Sequence, residues 1–198
     1  MSRYRCDAVV DQGRRDFFFR GAAAATILAA SGAATPVRAE ATDKQKEFMA
    51  EANRLAVESV KKGWGGPFGA VIVRTGKIIA EAANCVTQFN DPTAHAEVTA
   101  IRKACRKLRK FELSDCEIYT SCEPCPMCLG AIYWARPERV YYAATASDAA
   151  AAGFDDSFIY AELKISRGER KIPFIQGMHD AGLEPFREWL RKGDRVNY

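Results

Sequence analysis

Histidine is scarce in this chain: 198 residues hold two, His95 and His179. Any chemistry that needs an imidazole has almost no choice of position. Long hydrophobic runs are missing too. The alanine-rich stretch from Gly21 to Ala34 is too short to span a bilayer as an ordinary helix. After residue 40 no internal repeat or low-complexity linker appears, which argues against a solenoid or a string of modules. A strong charge of one sign is also absent. Lys and Arg number 29 against 25 Asp and Glu, a net charge of +4. Residues 1–39 carry six arginines and three aspartates, leaving about +1 on the rest. A nucleic-acid binder would normally carry its charge on the folded domain. What remains is ordinary globular composition, 48% hydrophobic and 27% charged, with length for one substantial core.

The N-terminus has its own character. Arg14-Arg15 precedes Asp16-Phe17-Phe18, the apolar stretch follows, and Val37-Arg38-Ala39 offers the small residues a signal peptidase reads. This pattern resembles a twin-arginine export signal. The expected organisation is a removable signal over 1–39 and a single folded domain over 40–198. The expected location is periplasmic or secreted, and cytoplasmic if the signal is not functional. A disordered basic tail or an uncleaved anchor is the alternative. Cysteine usage agrees with export of folded cargo. Of seven cysteines, Cys125 and Cys128 form a C-x-x-C, which risks a disulfide in an oxidising compartment. Loading a metal before export would protect both thiolates. Cys6 lies in the signal, and Cys85, Cys105, Cys116 and Cys122 read as buried small side chains.

Periodicity then gives the elements. Phe48, Ala52, Leu55, Ala56 and Val60 recur at helical spacing, predicting a helix over 43–62 with Thr42 as its cap. Phe68–Val73 and Lys77–Ala83 read as a hairpin turning at Thr75-Gly76. Residues 84–93 read as a loop, 95–108 as a helix, 117–120 as a strand, 124–134 as a helix opened by Pro124, and 139–143 as a strand. Residues 145–171 read as irregular, and 185–191 as a C-terminal helix. This order predicts an α/β domain with helices covering a mixed sheet.

Two segments carry the chemistry: His95-Ala96-Glu97 and Pro124-Cys125-Pro126-Met127-Cys128. Together they read H-x-E … P-C-x-x-C, the pattern of zinc-dependent nucleobase deaminases. His95, Cys125 and Cys128 supply three protein ligands and leave the fourth tetrahedral position of a catalytic zinc. Both cysteines fall at a helix start, where the dipole favours thiolates. Glu97 is left over as a proton carrier between water and substrate. One zinc per chain and hydrolysis of an amidine-like carbon follow. Cys122 is a further ligand in principle. A purely structural zinc would need a fourth protein ligand and would give Glu97 no task.

The surrounding residues narrow the reading. Pro67-Phe68-Gly69-Ala70, Asp91 through Val98, Ser121 through Ala135, and Ala152 through Tyr160 resemble the bacterial guanine deaminases of the cytidine deaminase-like superfamily. The resemblance covers most of residues 43–198. It implies a three-layer α/β/α fold with a mixed five-stranded sheet. It implies hydrolysis of guanine to xanthine and ammonia. The family's zinc ligands carry over to His95, Cys125 and Cys128, and its proton shuttle to Glu97. The purine-holding asparagine carries over to Asn84 and the substrate-side carboxylate to Asp156. Phe68 and Trp134 are expected walls for a flat base, with Ala96 beside the substrate. Family members form dimers with exchanged C-terminal segments, the final tyrosine closing the neighbour's pocket; Tyr198 matches that position.

Other readings stay open on the residues alone. Asn84 also suits a turn, Asp155-Asp156 a solvated pair or helix cap, Phe68 and Trp134 a core, and Tyr198 a frayed terminus. His179 suits a surface loop. The run Arg102, Lys103, Arg106, Lys107, Arg109 and Lys110 is either a solvated helix face or a contact for RNA phosphates. The competing functions are a tRNA or nucleoside adenosine or cytosine deaminase on the same fold and a non-enzymatic zinc-binding protein. A small purine base, with no nucleic acid and no stable membrane association after export, is the favoured partner set.

Overall fold

The structure, a computed structural model, describes residues 41–198. The expected export signal over 1–39 lies outside these residues. Among the described residues no helix is long and apolar enough to cross a membrane.

Helix α1 (Asp43–Lys61) begins as its sequence dictates. The Thr42 hydroxyl accepts the Gln45 N–H at 3.3 Å, and the Gln45 side chain accepts the Thr42 N–H at 2.9 Å. This reciprocal capping box satisfies two otherwise orphaned donors. The hairpin follows as strands β1 (Gly69–Arg74) and β2 (Lys77–Ala83). Next come α2 (Val86–Phe89), α3 (Ala96–Leu108), β3 (Cys116–Cys122), α4 (Pro126–Ala135) and β4 (Arg139–Ala144). The chain ends in short helices α5 (Ala146–Ala151), α6 (Ser157–Lys164), α7 (His179–Gly182) and α8 (Glu184–Arg191).

The strands form one sheet in the order β2-β1-β3-β4. Strand β1 is antiparallel to both β2 and β3, while β3 and β4 are parallel. The sheet is therefore mixed, with four strands among the described residues instead of the five expected. The chain beyond Ala144 winds into α5 and α6, and the remaining apolar stretch over 172–178 lies along no strand. Among the described residues the outer edge of β4 is left without a neighbour.

Strand β1 reads Ala-Val-Ile-Val after its glycine and is buried on both faces. Ala70 and Ile72 pack with Ala96, Ala100, Ile101 and Ala104 of α3 and Ile132 of α4. Val71 and Val73 pack on the opposite face with Leu55 of α1 and Tyr119 of β3. These two clusters make the three layers. Each fully buried Val, Leu or Ile contributes about 1.5–3 kcal/mol. Alanines every fourth residue let α3 sit close on the sheet. Its basic residues have local uses: Lys103 and Lys107 donate to the carbonyls of Glu81 and Ile79 at 2.8 and 3.1 Å. Among the described residues strand β2 pairs only with β1, so these lysines cover an open edge that would otherwise invite strand addition.

Helix α2 lies inside the expected loop over 84–93 and α6 inside the stretch read as irregular over 145–171, and two further differences have clear local reasons. Helix α4 starts at Pro126, because Cys125 is its extended N-cap and Pro126 takes the first helical position. Helix α5 lies inside the stretch read as irregular. It is anchored by a capping box between Thr145 and Asp148, and its run of alanines has no apolar period to detect.

Where α1 crosses the start of β1 there is room for no side chain. A Cβ on Gly69 would stand 2.1 Å from the Ala52 carbonyl oxygen and 2.7 Å from the Ala56 nitrogen. Both obstacles are backbone and cannot rotate away. Gly69→Ala is expected to lower stability by about 3 kcal/mol, measured as a fall in the urea midpoint at unchanged slope; an unchanged midpoint would show that α1 gives way freely.

Candidate active site

Antiparallel pairing on both sides of β1 makes β2 and β3 run in the same direction, and β4 follows β3. Their C-terminal ends therefore open on one side of the sheet, where ligands of α/β folds commonly sit. Asn84 leaves β2 there, Cys125 follows β3, and α5 follows β4. A cleft of about 350 Å3 lies at this end.

His95 is the N-cap of α3 and Cys125 the N-cap of α4, with Cys128 in its first turn. Their donor atoms all lie within 4.8 Å of one another. His95 Nδ1 is 3.5 Å from both the Cys125 and the Cys128 Sγ. A tetrahedral zinc with Zn–S of about 2.3 Å and Zn–N of about 2.0–2.1 Å separates sulfur and nitrogen by about 3.6 Å. The three residues fit zinc in chemistry and in spacing. Cys122 stands apart: its thiol lies 3.5 Å from the Thr145 carbonyl, and it does not join the donor group.

The electrostatics agree. Cys125 accepts hydrogen bonds from the Cys128 thiol and the His95 ring, which hold its pKa down to about 4 against its burial. The same bond to Cys125, with burial, pushes the Cys128 thiol up. The bond to Cys125 raises His95, with burial opposing it. Two helix N-termini pointing at one spot favour negative charge there. Glu97, in the first turn of α3, is only 4% exposed, and burial raises its carboxyl. A carboxyl poised above its usual range suits proton transfer near neutral pH.

The remaining expected residues separate into two groups. Phe68, Asn84 and Asp156 line the same cleft as His95, Glu97 and Cys125. Asn84 Oδ1 accepts the N–H groups of Gly66 and Val86, each at 3.2 Å. These two donors fix the amide orientation and leave Nδ2 as the free donor. Burial is the main cause of the raised Asp156 carboxyl, with the Cys125 charge adding to it. Cys128 is fully buried behind the cleft.

Ala96, expected beside the substrate, buries its methyl in the core because it faces Ala70 and Ile72; any contact there comes from its main chain. Trp134 and Tyr198 do not line this chain's cleft. They are 65% and 70% exposed, with ring centroids 6.4 Å apart. Trp134 faces outward from α4, which turns its inner face to the sheet.

Phe154 was missed as a wall. It meets Phe68 edge-on at 5.1 Å and lines the cleft. Its place immediately before Asp155-Asp156 was the available signal.

Fold and donor set together define a zinc-dependent deaminase. Residues 42–144 match the cytidine and deoxycytidylate deaminase zinc-binding region, and the chain belongs to that family. The chain is 60% identical over 151 residues to the guanine deaminase of Bacillus subtilis strain 168, covering 76% of this chain and 97% of that protein. The X-ray structure of guanine deaminase from Bacillus subtilis superposes with a TM-score of 0.75 at 59% identity, over 77% of this chain and 98% of that one. A guanine deaminase structure from Nitrosomonas europaea gives 0.54 at 30% identity, over 75% of each chain. The tRNA-specific adenosine deaminase of Aquifex aeolicus is 45% identical over 97 residues, covering 49% of this chain and 64% of that protein.

The purified protein should carry one zinc per chain by elemental analysis. Cys128→Ser should lose most of it, because a serine hydroxyl, far less acidic and less polarizable than a thiol, is a much weaker zinc ligand. Full zinc in that variant would remove Cys128 from the ligand set.

Proposed function

We propose that the protein hydrolyses guanine to xanthine and ammonia. The observation that carries this reading is the convergence of Asn84, Asp156 and Glu97 on one cleft over the His95–Cys125–Cys128 group. Asn84 Nδ2 offers a donor to a purine acceptor. Asp156 offers an acceptor to the guanine N–H groups, which adenine cannot match, so adenine would leave it unpaired. Phe68 and Phe154 supply apolar surface for a flat ring. Kinship with the guanine deaminases supports the same base. Of the basic run on α3, Lys103 and Lys107 are engaged with β2 carbonyls, which takes both from any RNA contact.

Zinc on the three ligands would supply a water acidic enough to act as a nucleophile at neutral pH. Glu97 takes the proton of the attacking water and passes it to the ring nitrogen beside the attacked carbon. Asp156 orients the base and assists proton delivery to the departing amine. One water is consumed and one ammonia released per guanine.

We further propose a homodimer with exchanged C-terminal segments. Three features support it. The outer edge of β4 has no neighbour among the described residues. The apolar segment 172–178 is open to solvent, with Ile175 at 89% exposure. Trp134 and Tyr198 form an aromatic pair with no base to cover in their own chain. In the dimer, the partner's segment 172–178 lies along β4 as an added strand, and the partner's Tyr198 closes the cleft mouth.

Glu97→Gln should keep zinc and lose turnover on guanine by about a thousandfold; wild-type turnover would refute the proton-carrying role. Light scattering should give twice the chain mass, and a chain ending at residue 170 should be monomeric with little activity. A fully active monomer would refute the exchange.

A further inference from the structure

Asn84 is 3% exposed, and the main chain and side chain of this one residue are held from a distant part of the sequence. The loop between α1 and β1, residues 62–68, lies against the turn that follows β2. Ser59, fully buried near the end of α1, donates its hydroxyl to the Asn84 carbonyl at 2.7 Å. The Asn84 N–H donates to the Phe68 carbonyl at 2.9 Å. Gly66 N–H occupies Oδ1 at 3.2 Å. Further along, the Gln88 N–H reaches the Trp64 carbonyl at 2.9 Å and the Thr87 hydroxyl the Gly63 carbonyl at 3.1 Å. The loop is thus bonded to the turn along its length.

Gly65 completes the clamp by what it lacks. A Cβ at this position would stand 2.0 Å from Asn84 Oδ1 and 3.0 Å from the Asn84 carbonyl oxygen. The carboxamide occupies the space that any side chain at 65 would take. An atom placed there would drive Oδ1 off the Gly66 and Val86 amides and turn the Nδ2 donor with it.

We propose that Gly65 and Ser59 are positioning residues for Asn84. Through them the α1–β1 loop sets how well the cleft holds its purine. This inference rests on the reading of Asn84 as the purine contact. Gly65 lines the cleft beside Asn84 and Ser59 bonds the Asn84 main chain, and neither is hydrogen-bonded to His95, Glu97, Cys125 or Cys128, so their effect falls on binding of the base. Ser59 holds the main chain and Gly65 makes room for the side chain, so the glycine has the larger effect.

The test is a set of double-mutant cycles on the zinc-loaded full chain, read as KM and kcat for guanine. Gly65→Ala should raise KM roughly tenfold and Ser59→Ala roughly threefold, with kcat and zinc content within about twofold of wild type. Combined with Asn84→Ala, neither should add appreciably to the loss already caused by that change, because coupled residues are non-additive. Ser59→Ala adds no bulk, so it makes the test even if Gly65→Ala folds poorly. Losses that multiply with Asn84→Ala, or that fall on kcat or zinc content, would overturn the proposal. A normal KM in Asn84→Ala would instead overturn the reading of Asn84 itself.

Discussion

The site depends on one constraint: two helix N-termini must meet so that two thiols each stand 3.5 Å from one imidazole nitrogen. Three donors at that spacing repel or compete for protons unless a cation or positive dipoles hold them. Helices α3 and α4 supply the dipoles, and hydrogen bonds from the Cys128 thiol and the His95 ring hold the Cys125 pKa down. Everything else keeps these ends in place. Alanines at 96, 100 and 104 bring α3 down onto the sheet, and the crossover from β3 through α4 to β4 fixes the other helix beside it.

The same topology explains why the substrate side forms where it does. Strands β2, β3 and β4 end on one side, so the residues following each share a cleft. Asn84 arrives from the first, Cys125 from the second, and Asp156 from the chain beyond the third. Glu97 sits one turn into α3 and is buried by the same packing that places His95. A buried carboxyl beside two thiols has a raised pKa because its charged form is desolvated there. Packing of the helix thus produces the acid–base group without a separate device.

Much of this was legible in the sequence, and the reasons differ by residue. The ligands and Glu97 were readable because their chemistry demands particular side chains at short fixed spacings. The cap at Thr42 and the hairpin were readable from local pattern. The fifth strand was expected from the family resemblance, and among the described residues no segment lies along β4. Trp134 was expected in the cleft because flat aromatics suit purines, yet helical phase turns it outward. Ala96 faces the core for the same reason. Helix α5 escaped notice because alanine runs lack a period. The clamp of Ser59 and Gly65 on Asn84 has no local signal, since it joins residues about 20–25 apart and works partly through an absent side chain.

The central claim is that this arrangement selects guanine as the base it hydrolyses. Ammonia release from equal concentrations of guanine, guanosine, adenine, cytosine and an adenosine-bearing tRNA, measured side by side on the zinc-loaded protein, tests it most directly. The account predicts rapid stoichiometric release from guanine, with xanthine as the other product, and little from adenine, cytosine or tRNA. Activity confined to tRNA, or equal turnover of adenine and guanine, would contradict it.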